Sequence, residues 1–362
     1  MVMTEMMTPA VLDVDLEALA ENYRTILAVA QPARVAAVLK ADAYGLGIGP
    51  VARRLAREGC AEFFISSLAE GLELRGIVPL ARIYVLEGAG GAVAECRAAD
   101  LIPVLNTPEE VEEWVHEAPE SPAALQVDTG MTRVGLDPEE VDRLAAQAVW
   151  TRCRLELVMT HLACADEPAH PLNPAQIERF TRVCRHFAGV ATSIGNSAGI
   201  WLGPAYRGDV VRPGLALYGG RPQLTGASPV TPVVRFTARV LQIRRLREDR
   251  SVGYGATVRL PAGSIVATIG AGYADGLPRA LGNRGFAHLN GQSVPIIGRV
   301  SMDLITLDVT SLGENGCSVG DEAELMGHHI RLEEVASAAD TVSYEILTQL
   351  STRLSRRYRN QD

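Results

Sequence analysis

From about residue 10 to residue 225, short apolar runs alternate with longer amphipathic stretches rich in Ala, Glu and Arg. Apolar runs of this length, bounded by turn residues, predict buried strands, and apolar positions recurring every three to four residues predict helices. The predicted strands are 35–40, 63–66, 83–86, 102–105, 123–127, 155–160, 190–195 and 210–211. A helix over 16–30 precedes the first of them, and further helices are predicted over 49–58, 68–76, 108–116, 138–147 and 174–187. Thr107-Pro108-Glu109-Glu110 has the makings of a helix start: a capping hydroxyl, a proline in the first turn, then acids facing the helix dipole. Alternation of this kind predicts a (β/α)8, TIM-like barrel. A doubly wound open sheet is the alternative, weakened because no GxGxxG follows the first strand.

After about residue 230 the pattern changes. Segments 233–246, 264–272, 287–289, 293–309 and 322–326 are rich in Val, Ile and Thr and are separated by turn residues. Asn290-Gly291 is the strongest short hairpin signal in the chain. This half reads as a mainly-β domain, closed by a strand or helix over 344–357. The Gly/Pro/Ser-rich stretch 220–232 marks the division into a barrel domain, 1–228, and a β domain, 229–362, which residues 1–12 could also join. A length of 362 residues, more than one ordinary core needs, agrees with two domains.

Composition narrows the setting. The 34 basic and 43 acidic residues leave a net charge of −9, which argues against a nucleic-acid or anionic-membrane partner. The six cysteines are scattered, with no zinc or disulfide spacing, so no metal site and a reducing compartment are expected. The N-terminus has no basic, then apolar, signal pattern, and no apolar run is long enough to span a bilayer. The expected location is cytoplasmic.

The ends of the predicted strands carry the candidate chemistry, because a parallel barrel gathers function at the C-terminal ends of its strands. The first strand ends at Lys40, with Tyr44 four residues on; the later ones lead into Asp128–Arg133, His161, Asn196-Ser197 and Arg212-Pro-Gly214-Leu215. Taken alone, a strand-end lysine packs its stem on the sheet and reaches water with its head. Grouped on one rim with a histidine, two arginines and a serine, it has another reading. A desolvated lysine is a natural Schiff-base former, and pyridoxal phosphate is a carbonyl partner with a phosphate handle. Ser197, Tyr44 and the Gly214-Leu215 turn could bind that phosphate, and a permanently charged Arg212 could keep the pyridine nitrogen unprotonated.

At these residues the chain resembles the alanine racemases. Val38-Leu-Lys40-Ala-Asp-Ala-Tyr44-Gly-Leu-Gly47 is similar to their pyridoxal-phosphate attachment segment. The likeness continues in order through Val127–Gly135, Thr160–Glu167, Asn196–Gly199, Arg212–Gly219, Gly253–Thr257, Gly272–Gly276, Gly298–Asp303 and Tyr344-Glu345. The resemblance implies a racemase of L- and D-alanine that uses two bases and supplies D-alanine for peptidoglycan. Lys40 would hold the cofactor and act as one acid/base; Tyr254, reaching over from the partner subunit of a homodimer, would be the other. Arg212 would face the pyridine nitrogen, with His161 beneath the ring and Asn196 in the cofactor-binding set. Tyr44, Ser197, Gly214, Leu215 and Tyr344 would bind the phosphate. Arg133 would reach the cofactor's phenolic oxygen and the substrate carboxylate, which the Met302 N–H would also hold. Asp303 would steady the Tyr254 side, Tyr273 would narrow the entrance, and Asp166, Arg279 and Arg299 would lie further out.

A two-sided proton transfer calls for one group on each face of Cα. A tyrosine with an ordinary pKa of about 10 is a poor base, so Tyr254 would draw on the cationic surroundings of Arg212 and His161. Two departures stand out. Many family members carry a lysine, often carbamylated, where this chain has Gln126; the expectation here is that the Gln126 carbonyl, a bound anion, or both hold Arg133. Ser193 stands where some members have a histidine, altering only packing. Alternatives are a racemase of serine or other small amino acids, a barrel-fold pyridoxal-phosphate decarboxylase, a non-catalytic carrier, and a cofactor-free aldolase.

Overall fold

The structure, a computed structural model, describes residues 9–360. Strand β1 (Ala10–Asp15) runs into helix α1 (Leu16–Ala30), started by the Asp15 carboxylate, which accepts the N–H groups of Glu17 and Ala18. The next strand comes in two pieces, β2 (Arg34–Val35) and β3 (Ala37–Val38). Then follow α2 (Ile48–Arg57), β4 (Glu62–Ile65), α3 (Leu68–Ile77), β5 (Arg82–Val85), α4 (Val93–Ala98), β6 (Ile102–Leu105) and α5 (Pro108–Glu117). The first half is completed by β7 (Ala123–Gln126), α6 (Pro138–Ala146), β8 (Leu155–Met159), α7 (Leu172–Cys184), β9 (Ala191–Asn196) and β10 (Val210–Arg212).

Every pairing in this sheet is parallel. β10 pairs with β2 while β3 pairs with β4, so the interrupted first strand closes the ring into an eight-stranded barrel. Its strands are buried on both faces: Phe63 and Leu125 alternate with the inward-facing Phe64 and Gln126. Phe63, Phe64, Tyr84 and Leu125 are all fully buried, and Phe64 stacks on Tyr84 with ring centroids 4.5 Å apart. Burying an aromatic side chain of this kind contributes about 2–3 kcal/mol, and close packing also fixes where the strand ends sit.

The second half is built on one long strand, β11 (Val234–Arg245). After it come the ribbon β12 (Arg250–Val252) and β13 (Val258–Leu260), then β14 (Ile265–Ile269), β15 (Phe286–Leu289), β16 (Gln292–Ile297), β17 (Ile305–Asp308) and β18 (Glu322–Met326). Two short helices, α8 (Leu332–Ala338) and α9 (Ser343–Thr348), precede the last strand, β19 (Ser355–Arg359). β11 pairs antiparallel with β1, β14 and β18, and β19 lies parallel to β1. The β15–β16 hairpin turns on Asn290 (φ 49°) and Gly291 (φ 84°), the left-handed pair that an Asn-Gly turn supplies cheaply.

Several sequence-based expectations shift. The first strand stops at Val38, so Lys40 lies beyond it in a left-handed turn rather than at the strand's last position. The apolar segment 293–309 divides into β16 and β17, broken where Gly298 takes a positive φ of 71°. Helices α4 and α8 are too short to carry a periodic signal and were not anticipated. The final segment holds both a helix, α9, and a strand, β19. Among the described residues, no helix is long and apolar enough to cross a membrane.

Candidate active site at the mouth of the barrel

A cavity of about 1450 Å³ opens at the C-terminal ends of the barrel strands. Lys40 enters it from a turn of unusual backbone: Ala41, Asp42, Ala43 and Tyr44 all have φ between 53° and 58°. Left-handed conformation costs an L-residue roughly 1–2 kcal/mol, so four in a row persist only if the surroundings hold them. They do. The Ala41 N–H donates to Glu70 Oε1 at 2.7 Å, and the Ile48 N–H donates to Asp42 Oδ1 at 2.6 Å. Arg356 donates twice to the Gly45 carbonyl, and the Tyr358 hydroxyl donates to the Leu46 carbonyl. A Cβ at Gly45 would stand 2.6 Å from the Leu347 carbonyl oxygen, so α9 presses directly on the turn. Burial, with the charge of Arg133 second, lowers the pKa of Lys40 below its ordinary value.

Deeper in the cavity, Arg212 is only 4% exposed. Its guanidinium donates to the Thr160 carbonyl at 2.7 Å and to Ser193 Oγ, and it lies 5.9 Å from the Phe64 ring centroid. Burial lowers its pKa to about 9, which leaves it cationic at neutral pH. His161 sits between two donors. Asn196 is pinned because its Oδ1 accepts the Gly199 N–H and its amide donates to the Leu162 carbonyl, so the same amide points a donor at His161 Nε2, 3.3 Å away. Arg212 approaches Nδ1 at 3.5 Å. Burial first, then the charges of Arg212, Arg133 and Lys40, drive the His161 pKa to about 3. His161 is therefore neutral, which corrects the expectation that it adds positive charge beside Tyr254.

Opposite Lys40 lies a cradle of hydrogen-bond donors. Ser197 Oγ accepts the N–H groups of Gly214 (3.0 Å) and Ala216 (3.2 Å), while the Leu215 N–H meets no acceptor among the described residues. The Tyr44 hydroxyl comes so close to Gly214 that a Cβ there would stand 2.2 Å from it, so only glycine fits. Tyr344 approaches from α9, its ring 6.0 Å from that of Tyr44. Burial raises the pKa of both phenols, which keeps both hydroxyls protonated as donors.

Gln126, Arg133 and Asp166 line the same cavity. The Asp128 carboxylate gathers the N–H groups of Gly130, Met131 and Arg133 and so shapes the Arg133 loop. Gln126 Nε2 donates to the Val134 carbonyl, and the Arg133 guanidinium has no hydrogen-bond or ion-pair partner among the described residues. No bond between the Gln126 carbonyl and Arg133 forms among the described residues, which leaves a bound anion as the other expected holder of Arg133. Six other predicted residues do not reach this cavity. Tyr254, Tyr273, Arg279, Arg299, Met302 and Asp303 all lie on the β domain, with Tyr254 71% and Met302 54% exposed.

The family model described as "Alanine racemase, N-terminal domain" matches residues 14–222, and "Alanine racemase, C-terminal domain" matches residues 233–358. The chain belongs to the alanine racemase family. The alanine racemase of Rhodospirillum rubrum is 46% identical over 360 residues, which cover 96% of this chain and 96% of that protein. In Agrobacterium fabrum, the catabolic alanine racemase is 44% identical, covering 96% of this chain and 91% of the relative. A solved alanine racemase from Bartonella henselae, with covalently bound pyridoxal phosphate, superposes with a TM-score of 0.93 at 36% identity, covering 97% of this chain and 99% of that one. The biosynthetic alanine racemase of Pseudomonas aeruginosa superposes with a TM-score of 0.91 at 33% identity, over 97% of this chain and 99% of the other.

In this member of the alanine racemase family, sequence reasoning missed a buried polar layer under His161. Gln176 on α7 donates to the His161 carbonyl (2.9 Å) and to Thr129 Oγ1 (3.1 Å), and it accepts the Ala163 N–H (2.9 Å). Thr129 and Thr160 share a 2.8 Å hydrogen bond. A signal was present: Asn173 and Gln176 lie on the same stripe as the buried Phe180 and Val183, polar residues on the apolar face of a helix. Ser193, read as packing alone, accepts from Arg212 and donates to the Val210 carbonyl.

Proposed function

We propose that the protein interconverts L- and D-alanine with pyridoxal 5'-phosphate, as a homodimer whose active sites are shared between subunits. The carrying observation is the left-handed turn that delivers Lys40, its pKa lowered, into one cavity with the Ser197–Gly214 cradle and the buried Arg212. The residues fit the cofactor. Two protonated phenols, the Ser197 hydroxyl and the unsatisfied Leu215 N–H suit a phosphate, and glycine at 214 leaves the backbone open to close approach. When bound, pyridoxal phosphate supplies a carbonyl for amines and an electron sink for charge at the substrate's Cα.

Lys40 Nζ moves the proton on one face of Cα, and its lowered pKa keeps more of the amine free for that step. Tyr254 of the partner subunit moves it on the other. Arg212, held by Thr160 and Ser193, keeps a fixed positive charge where the pyridine nitrogen would lie, which limits how much charge the ring takes up. An acid in that place would favour decarboxylation instead. His161 and Asn196 support the underside of the ring, and Arg133, without a hydrogen-bond or ion-pair partner among the described residues, is available to the phenolic oxygen and the substrate carboxylate. The Met302 N–H, which meets no acceptor among the described residues, is available to that carboxylate across the dimer. Tyr273 and Tyr344 crowding the entrance favour a small side chain.

We further place the protein in the cytoplasm, supplying D-alanine for peptidoglycan. The six cysteines, all free, support a reducing setting. The domain division at residue 228 is kept. The pairing of β1 with β11 and β19 supports counting residues 10–12 with the β domain; residues 1–8 of that assignment lie outside the described residues.

Chiral analysis of L-alanine incubated with the protein, with and without added pyridoxal phosphate, is the direct test; retention of pure L-alanine by the loaded protein would falsify the reading. Lys40→Ala is expected to abolish both the visible absorbance of the lysine-bound cofactor and turnover. Tyr254→Phe should keep the absorbance and slow Cα proton exchange of one enantiomer selectively. Unchanged wash-out of Cα deuterium from both enantiomers in that variant would refute the two-base assignment.

A further inference from the structure

We propose that Arg353 is a positioning residue that locks the two loops carrying Tyr273 and Met302 into one rigid plate presented to the partner's active site. The inference rests on the proposed shared site. It starts from two loops with no side-chain core of their own. The 3₁₀ turn Tyr273–Asp275 and the bend at Ser301–Asp303 are joined edge to edge: the Tyr273 N–H donates to the Ser301 carbonyl and the Ala274 N–H to the Met302 carbonyl, both at 3.0 Å. A Cβ at Gly272 would stand 2.3 Å from both of those carbonyl oxygens, so glycine is what allows the two backbones to meet. The Met302 carbonyl is thereby anchored while its N–H meets no acceptor among the described residues.

Two backbone bonds alone leave such a pair of exposed loops free to shear. Arg353, in the segment between α9 and β19, closes that freedom. Its Nε donates to Asp275 Oδ1 at 2.7 Å, and one Nη donates to Asp275 Oδ2 at 3.1 Å and to Asp303 Oδ1 at 2.7 Å. One guanidinium thus ties an acid from each loop. The Asp275 end is buried, at 5% exposed, and Asp275 Oδ2 also accepts the Gly272 N–H, so that end is the fixed point. The Asp303 end is exposed and is the part being steered. The Arg353 segment is itself docked: the Ser351 N–H donates to the Asp275 carbonyl, and Gly276 packs against the backbone of Gln349 and Leu350. A planar fork grips Asp275 with two parallel donors while reaching Asp303; an ammonium has donors enough but no such fixed bidentate geometry.

The expected signature is a split between binding and turnover. Arg353 hydrogen-bonds to neither Lys40 nor Tyr254 among the described residues, so its loss should chiefly loosen the carboxylate-binding N–H of Met302 and reach proton transfer only indirectly, through Asp303. In holoenzyme, Arg353→Ala is expected to raise KM for alanine about 10-fold with kcat held within about 3-fold. Arg353→Lys should fall between it and wild type, and Asp275→Asn combined with Arg353→Ala should raise KM no further than either alone. Hydrogen exchange supplies a readout independent of activity: the Tyr273 and Ala274 amides should exchange about 10-fold faster in Arg353→Lys, while those of the barrel strands do not change. Unchanged KM in a folded, cofactor-loaded variant, additive effects in the double variant, or unchanged exchange at those amides would overturn the proposal. If Arg353→Ala fails to fold, Arg353→Lys decides by the same KM and exchange readings. Should wild type prove not to racemise alanine, the shared-site reading fails, and the exchange experiment still tests the clamp.

Discussion

Lys40 and His161 are set by the same residue-level physics, working toward different ends. Both lose water, and both face the Arg133 charge, so each is pushed toward its neutral form. For Lys40 the acids Glu70 and Glu87 oppose that push. Arg133→Gln is therefore expected to raise the Lys40 pKa, shifting upward the pH at which pyridoxal phosphate attaches; borohydride trapping across a pH series measures it, and a downward shift would contradict the assignment. For His161 the sign runs as for any group whose folded pKa is depressed. Its contribution to stability is complete above the ordinary value of 6.5 and is lost as pH falls toward about 3. Because the ring is half-buried and faces the cavity, the loss over the first one and a half pH units below 6.5 is discounted to roughly 1–2 kcal/mol. His161→Gln should flatten the acid side of a melting-temperature profile, and an equally steep profile would argue against a buried neutral histidine. The identity of these residues was legible in the chain. Their protonation was not, since His161 owes its neutrality first to burial and then to the charges of Arg212, Arg133 and Lys40, which only the fold brings beside it.

Among the elements, the left-handed turn Lys40–Tyr44 is the one whose backbone departs most from its residues' preferences. Three of its residues are Ala or Asp rather than Gly, and Ala41 is exposed, so its methyl is not needed for packing. Ala41→Gly is expected to stabilise the fold by about 1 kcal/mol, read as a higher melting temperature, with any activity lost to a looser Lys40. A lower melting temperature would show that the turn stores no strain there. Helix α7 makes the opposite case. Gln176→Leu would leave the Ala163 N–H and the His161 carbonyl without their partner and should cost about 2–3 kcal/mol. A melting temperature within error of wild type would remove Gln176 from the site's support. Strands and long helices were legible because their periods are strong; the Asn290-Gly291 hairpin was legible from two residues. The Lys40 turn was not, because nothing local in Ala-Asp-Ala asks for a left-handed backbone; Glu70, Arg356, Tyr358 and α9 impose it.

For the whole molecule, the separation of Lys40 from Tyr254 is the governing fact. One chain holds the cavity; the exposed Tyr254, Tyr273 and Met302 stand on its β domain. With two-fold symmetry, a dimer mixing Lys40→Ala and Tyr254→Phe chains contains one site with both bases intact. Mixing the two variants one to one and allowing exchange should restore about a quarter of wild-type activity, since half the dimers are mixed and each has one good site. No recovery, with exchange verified by sedimentation of tagged chains, would place both bases in one subunit.

The chain by itself determined the barrel, the β domain that follows it, and which side chains gather at the strand ends. Those features follow from hydrophobic period and turn chemistry, which act over a few residues. Tertiary structure alone decided that Lys40 sits in a left-handed turn, that Arg133 meets no partner among the described residues, and that β1 pairs with β11 and β19. Each of these depends on contacts between residues far apart in sequence, whose energies no local pattern carries.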